Sequence, residues 1–152
     1  MDTWHRIEPR HRQIRAQFEL LHELAEMRAV LPAKVPRADA VANLTRVALG
    51  VAGMAIGRFD LLRVVTVDRL HEQYRAKVFP PLTRLIESAR GAGAIGACLS
   101  GAGSTVIAFS DSVRTITRIE GAFTAASVDL DLPGRIVVVS PRNTGAHVVG
   151  RR

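Results

Sequence analysis

The chain has 152 residues, of which 47% are hydrophobic and 23% are charged. These values predict one globular domain with a substantial core and exclude extensive disorder, except at the chain ends. The formal net charge is +7, but nearly all the basic residues are arginines spread along the chain, with only Lys34 and Lys77 as lysines. This scatter argues against a nucleic-acid-binding stripe, whereas a basic balance suits a small anionic ligand.

No segment predicts a membrane anchor or a secretion signal. The longest apolar run, residues 47–56, is shorter than the roughly 20 residues that a membrane helix needs, and we interpret it as part of a buried helix. The N-terminus lacks the apolar centre of a signal peptide, and a lone cysteine, Cys98, cannot form an internal disulfide. These features predict a cytoplasmic protein.

Apolar spacing predicts four helices. The first covers 37–56, where Val41, Leu44, Ala48, Val51 and Ala55 form one helical stripe between Pro36 and Gly57. A second is predicted from Asp60 to about Glu72, although three β-branched valines weaken it. The third opens at Pro80 and Pro81 and ends before Gly91, and the fourth covers 112–126.

The predicted strands lie in the second half of the chain, at 94–99, 105–109, 135–140 and 147–149. The first two flank a glycine-rich loop and form a hairpin. Helices and strands in this order predict an α+β sandwich, in which helices cover one face of a mainly antiparallel sheet.

The loop between the first two predicted strands is the main candidate for a binding site. Its glycines can adopt positive φ and let a ligand approach the backbone, and its hydroxyl side chains add donors for an anion. The phosphate-loop prediction comprises Ser100, Gly101, Ala102, Gly103, Ser104 and Thr105.

Four other chemical motifs are rejected, because either the surrounding elements or a required residue does not match. Residues 91–96 match the dinucleotide-binding glycine pattern, but they follow a helix and precede a strand. No lysine follows the glycines of the loop as a Walker A motif requires, and Cys98 replaces the glycine of a nucleophile elbow before Ser100. Arg75 stands where a zinc-protease helix needs its second histidine. The sequence identifies no catalytic residue and predicts no metal site.

Five segments together resemble the C-terminal half of bacterial homoserine kinase, a GHMP small-molecule kinase. They are residues 28–32, 39–46, 68–75, 99–105 and 143–146. The resemblance covers residue 18 to the end and implies a ferredoxin-like α+β domain. It also implies phosphorylation of the L-homoserine hydroxyl, with ATP and Mg²⁺ as cofactors, in threonine biosynthesis.

The resemblance also assigns substrate-binding residues. Arg75 matches a family arginine that holds the amino acid's carboxylate, as a planar guanidinium can grip both oxygens. The structural alternative is an exposed arginine following a helix. Lys34 and Asn43 are further candidates near the same family site, with surface chemistry or structural hydrogen bonding as their alternatives.

The loop from Ser100 to Thr105 corresponds to the family's third motif, which lies beside the transferred phosphoryl group. Its preformed donors would stabilise charge in a loose transition state. The alternative is a hairpin turn that only packs. Ser104 departs from the family, which has proline there, and the loss of a fixed φ is expected to loosen the loop.

Residues 1–17 form a separate Arg-rich segment that we expect to be helix-like, before a domain at 18–152. The 152 residues contain no counterpart of the family's nucleotide loop, of its magnesium-holding acidic residue or of half of its homoserine contacts. We therefore expect the chain to be inactive alone, as a fragment, a frameshift product or one half of a split enzyme with a separate kinase half. It could form homo-oligomers, and the alternative function is a non-catalytic amino-acid-binding or regulatory module.

Overall fold

The computed structural model describes residues 12–18 and 24–141. The segment 143–146, which contributes to the family resemblance, and the strand predicted at 147–149 lie outside the described residues. Among the residues described, no helix is both long and apolar enough to span a membrane.

A four-stranded antiparallel sheet organises the domain, with the strands in the order β2-β3-β1-β4. The strands β2 and β3 form the predicted hairpin, in which Leu99 pairs with Val106. This strand order, with helices between β1 and β2 and between β3 and β4, is that of a ferredoxin-like domain, so the predicted fold class is confirmed. The strands are β1 Arg12–Phe18, β2 Gly96–Leu99, β3 Val106–Ser110 and β4 Gly134–Val139.

The expectation of a helix-like segment over residues 1–17 is wrong where the structure describes it. Residues Arg12–Phe18 form β1, which pairs with β3 on one side and β4 on the other. The strand is held by partners about a hundred positions away in the sequence. Local composition therefore gave no sign of it.

Two helices cover one face of the sheet and enclose the core. They are α5, Pro81–Gly91, and α6, Val113–Asp129, and both begin and end close to their predicted limits. Ser112 caps α6 by accepting a hydrogen bond from the backbone N–H of Thr115. The core of these two helices and the sheet contains Leu82, Leu85, Ile119 and Phe123, which are almost fully buried.

The first long helix, α2, spans Arg37–Ala55 and confirms the predicted helix. Its predicted burial is wrong, because Leu44 and Val51 in the apolar stripe are 70% and 62% exposed. The helix packs instead through its glycines: a Cβ at Gly53 would lie 2.9 Å from Leu61 Cδ1. The face of α2 that packs is thus the one on which glycine lets the backbone approach its neighbours closely.

The continuous helix predicted from Asp60 to Glu72 is also wrong. A short 3₁₀ turn, Phe59–Leu61, leads into α3, Leu62–Val65, and the chain becomes helical again only at α4, Glu72–Arg75. The Thr66 hydroxyl donates to the carbonyl of Leu62, which competes with the helical backbone.

The helix α3 lies against the sheet face opposite the main core. Gly96 alternates with the core residue Ala97, and a Cβ at Gly96 would lie 2.5 Å from the carbonyl oxygen of Leu62. Only glycine permits this approach, which anchors the chain between α2 and α4 beside the edge strand β2. A short α1, Leu24–Ala29, was not predicted.

Candidate functional site

A cleft of about 290 Å³ lies between α2, the chain from residue 65 to α4, and the end of β2. Its size is at the lower end for small-molecule pockets. Four charged side chains line it, two of each sign, together with Asn43 and Gly101. The charged residues are Arg46, Asp68, Glu72 and Arg75.

Arg75 joins three elements at one side of the cleft. Its Nε donates to the carbonyl oxygen of Met27 on α1 at 3.1 Å, and its Nη1 donates to that of Gly101 at 2.8 Å. The residue is only 8% exposed and lies within α4, so the alternative of an exposed arginine after a helix is wrong. Within the described residues its Nη2 makes no hydrogen bond.

The glycine loop connects β2 to β3 beside Arg75. Gly101 and Gly103 have φ of 67° and 109°, as their predicted conformational role requires, and the Gly103–Ser104 peptide is cis. Gly101 is exposed with nothing within 4 Å of a Cβ, whereas a Cβ at Gly103 would lie 2.6 Å from Met27 Cε. A side chain at Gly101 would therefore face open space, and one at Gly103 would face Met27.

The loop's remaining side chains also differ in burial. Ser104 is buried at 2% exposure, while Ser100, Ala102 and Thr105 are half-buried. The backbone N–H of Ser100 donates to the carbonyl of Thr105 at 2.8 Å and closes the loop. Of the six residues of the predicted phosphate loop, Gly101 is the one that lines the cleft.

Arg46 on α2 is the feature of the cleft that the sequence analysis did not single out. Its Nη1 atom is buried and makes no hydrogen bond with any described residue. A guanidinium stays protonated at all physiological pH values, and an unpaired buried donor costs about 1 to 3 kcal/mol. Arg46 therefore presents an unsatisfied positive donor to the cleft it lines.

Asn43 connects α2 to the chain before α4. Its Nδ2 donates to Asp68 Oδ1 at 2.7 Å, and its Oδ1 accepts from the backbone N–H of Arg69 at 3.0 Å. Asp68 Oδ2 in turn accepts from the backbone N–H groups of His71 and Glu72 at the start of α4. The amide of Asn43 is occupied by this structural network, although the residue also lines the cleft.

The two cleft carboxylates have opposite pKa shifts. Burial raises the pKa of Asp68, but the N–H groups of Glu72 and His71 and the amide of Asn43 outweigh burial and hold it below its usual value. Burial raises the pKa of Glu72, against the Leu99 N–H that its Oε1 accepts at 2.7 Å. Glu72 thereby accepts a backbone hydrogen bond at the edge strand β2. Of the two carboxylates, that of Glu72 is the more easily protonated.

Cys98 is on β2 and lines the cleft together with these carboxylates. Burial, with Glu72 and Asp68 nearby, raises the pKa of its thiol to about 12. The thiol is therefore neutral at physiological pH and is a weak nucleophile.

Three of the predicted site residues converge on the cleft, namely Arg75, Asn43 and Gly101. Lys34 does not line the cleft and lies exposed in the segment between α1 and α2. Arg46, Asp68 and Glu72 were missed. The available signal was spacing: Arg46 follows Asn43 by three residues on a helix, so the two share a face.

Comparisons with known proteins agree with this fold. Residues 55–128 match the family described as GHMP kinases C terminal. The chain is 22% identical in sequence to the crystal structure of homoserine kinase from Cytophaga hutchinsonii, with a TM-score of 0.82 over 88% of this chain and 42% of that one. This likeness shows the shared fold. The chain therefore contains a GHMP kinase C-terminal domain.

Sequence relatives identify the branch of that class. The chain is 36% identical to a homoserine kinase from Persephonella marina over 87% of its length, and 39% identical to one from Moorella thermoacetica over 88%. It spans 43% and 44% of those two relatives. The predicted resemblance to the C-terminal half of homoserine kinases is confirmed.

Proposed function

We propose that the cleft binds L-homoserine and that the chain supplies the acceptor side of an ATP-dependent homoserine kinase. The observation that carries this proposal is the buried Nη1 of Arg46, which has no hydrogen-bond partner among the described residues. A substrate carboxylate at this atom would supply the missing acceptor, and hydrogen bonds between charged groups are among the strongest in proteins.

Arg75 would act beside Arg46. Its Nε and Nη1 are already held by backbone carbonyls, so the guanidinium is fixed in orientation before a ligand arrives. Its remaining nitrogen could meet one carboxylate oxygen, whereas the bidentate grip expected from the sequence would need donors that Arg75 has already used. The carboxylate is therefore assigned mainly to Arg46, with Arg75 as a second contact.

The opposite charges in the cleft suit a zwitterion. Asp68 and Glu72 line the same space as the two arginines, and an amino acid carries an ammonium group next to its carboxylate. Glu72 is the better partner for the ammonium, since hydrogen-bond contacts with three residues, Asn43, His71 and Glu72 itself, already occupy Asp68. A cation at Glu72 would offset the desolvation that raises its pKa.

The glycine loop would border the phosphoryl transfer. Gly101 faces open space beside Arg75, so a phosphoryl group could approach the backbone there. Among the described residues no three His, Cys, Asp or Glu side chains form a metal-binding group. These residues do not fit a magnesium site by themselves, so ATP and Mg²⁺ enter the proposal through the family alone.

Titration calorimetry tests the carboxylate assignment. We expect L-homoserine to bind the chain, and 2-amino-1,4-butanediol, which has a hydroxymethyl group in place of the carboxylate, to bind at least about tenfold more weakly. Arg46→Gln should abolish this preference, while Arg84→Gln, which changes an exposed arginine paired with Asp129, should keep it. Equal affinity for both compounds in the wild-type chain would contradict the proposal.

A separate experiment tests the kinase role. We expect these 152 residues alone to give no phosphohomoserine with Mg-ATP, and a chimera in which they replace the matching part of the Moorella thermoacetica enzyme to restore turnover. Binding without turnover in a folded chimera would favour the non-catalytic amino-acid-binding module. A role in threonine biosynthesis and a cytoplasmic location are predictions that follow from the kinase assignment.

A further inference from the structure

A second cavity lies at the opposite end of β2 from the cleft, between α3, the end of α5 and the chain that leads into β2. Its volume is about 420 Å³, which is within the range of small-molecule pockets. The described residues that line it are Arg63, Val67, Arg90, Gly93, Ala94 and Ile95. Two of these six are arginines, and none is acidic.

Arg90, in the last turn of α5, is held in position by the fold. Its Nη2 donates to the carbonyl oxygen of Ala97 on β2 at 2.9 Å. Its Nε and Nη1 make no hydrogen bond with any described residue. The charge of Arg90 also favours the ionised form of Glu72 in the cleft, but the two side chains form no ion pair. Arg90 therefore offers an oriented guanidinium with donors to spare.

Arg63 on α3 supplies the second positive charge. It is exposed, and it makes no hydrogen bond or ion pair among the described residues. The carboxylate of Asp60, on which Arg63 acts electrostatically, is already bound by Arg58 through two hydrogen bonds of 2.8 Å. A third arginine approaches the same place, since Nη1 of Arg118 on α6 lies 3.8 Å from where a Cβ of Gly93 would be. Positive charge is thus concentrated at the cavity.

The backbone around the cavity leaves recognition to these side chains. The N–H groups of residues 93–95 all donate to backbone carbonyls, two of which belong to the end of α5. A ligand therefore finds no free amide there and must be held by guanidinium groups. Guanidinium groups match the oxygen geometry of phosphate and carboxylate. Two of them balance a phosphate monoester, which carries a charge of about −1.5 to −2, better than a carboxylate with a single charge.

We propose that this cavity is a second anion site, which binds a phosphate group, free or on a small ester, between Arg63 and Arg90. The volume is larger than a phosphate needs, and Val67 and Ile95 would border the organic part of an ester. Val67 also lines the cleft, but the close approach of α3 to Gly96 lies between the two cavities. The site is therefore separate from the one proposed for homoserine.

A nuclear magnetic resonance titration of the 152-residue chain tests the site, with inorganic phosphate and glycerol 3-phosphate as probes. We expect at least one of them to bind with a Kd at or below about 1 mM. The backbone amide signals of Gly93 and Ile95 should shift, and that of Gly101 should not. Arg63→Gln and Arg90→Gln should each weaken binding at least about tenfold, because each removes one of the two charges.

Arg84→Gln is the matched control. Arg84 is an exposed arginine of the same helix, α5, and pairs with Asp129 instead of lining the cavity. Its replacement should change phosphate affinity less than about twofold. Circular dichroism checks that all variants fold, and Arg63→Gln is the decisive one because Arg63 has no partner in the described part of the fold.

The two probes distinguish the sources of the phosphate group. Tighter binding of glycerol 3-phosphate would indicate an ester that uses the rest of the cavity, and equal binding would indicate phosphate alone. Acetate, with one charge, should bind at least about tenfold more weakly than either probe. Acetate binding as tight as that of phosphate would overturn the assignment.

Three further results would overturn the proposal. The first is the absence of saturable phosphate binding, and the second is binding that neither Arg63→Gln nor Arg90→Gln weakens. The third is a set of shifts that appears at Gly101 alone and disappears in Arg46→Gln, which would place the phosphate in the cleft. Homoserine binding does not enter the measurement. Failure of this site is therefore distinguishable from failure of the proposed function.

Discussion

The guanidinium of Arg75 donates a 2.8 Å hydrogen bond to the carbonyl oxygen of Gly101 and so ties α4 to the glycine loop. A second bond from the same side chain reaches Met27 on α1. A residue expected to serve only the substrate therefore also supports the framework around it.

Arg75→Met should consequently destabilise the fold as well as weaken homoserine binding. Two backbone carbonyls lose a charged donor, and we expect the free energy of unfolding to fall by about 2 to 4 kcal/mol. Urea denaturation followed by circular dichroism measures the change. The control Arg84→Met removes an exposed ion pair and should cost at most about 0.5 kcal/mol. Equal effects of the two changes would contradict the structural role of Arg75.

Arg46→Met should change stability in the opposite direction. Because Nη1 of Arg46 is buried and has no acceptor in the part of the chain that the structure describes, its removal should leave the free energy of unfolding unchanged or raise it by up to about 1 kcal/mol. Homoserine affinity should fall in the same variant. A destabilisation as large as that of Arg75→Met would show that Arg46 has an acceptor within the fold.

How far the sequence predicts this structure depends on the range of the interactions. The helices α5 and α6 were predicted because apolar spacing, Pro81 and the Ser112 cap are local signals. The break in the helix at 60–72 depends on contacts such as the one between Asp68 and Asn43, which are 25 residues apart. Such a contact has no local signature.

The prediction of which face of α2 is packed was wrong for a related reason. Its apolar stripe is the stronger periodic signal, but Gly50 and Gly53 determine which side meets α3, and glycine contributes no hydrophobic signal. The site shows the same division. Arg75 was identified from the resemblance and the loop around Gly101 from its glycines and hydroxyl side chains, whereas the importance of Arg46 depends on burial that only the folded chain creates.

Asp68 should make the stability of the chain depend on acid pH. Its folded pKa lies below the model-peptide value of 3.8, so its contribution is present above that value and is lost as the pH falls through the folded pKa. We expect Asp68→Asn to lower the free energy of unfolding at pH 7 by about 1 to 3 kcal/mol. Urea denaturation between pH 2 and 7 should show the difference from wild type shrinking below about pH 4. A constant difference would contradict the pKa assignment.

Glu72 should act in the opposite sense. Its folded pKa is raised above the model-peptide value of 4.5, so the chain loses stability as the pH rises from there through the folded pKa. Glu72→Gln keeps an oxygen for the Leu99 N–H and removes this loss. The variant should match wild type at pH 4 and exceed it at pH 7, in the same urea assay, and equal stability at pH 7 would contradict the pKa assignment. Glu87→Gln, at an exposed position of α5, is the control and should follow wild type throughout.

The two glycines of the loop should respond differently to alanine. At Gly101 the space around a Cβ is open, and the cost is that of a left-handed backbone alone, about 1 kcal/mol. At Gly103 the φ of 109° is one that residues with a side chain rarely adopt, and the new methyl would also displace Met27 from the core. We expect Gly103→Ala to cost about 2 to 4 kcal/mol in urea denaturation. Gly101→Ala should instead reduce turnover in the chimera with little loss of stability, because its methyl occupies the open side of the loop. The reverse order of stabilities would show that Gly101, and not Gly103, faces the interior.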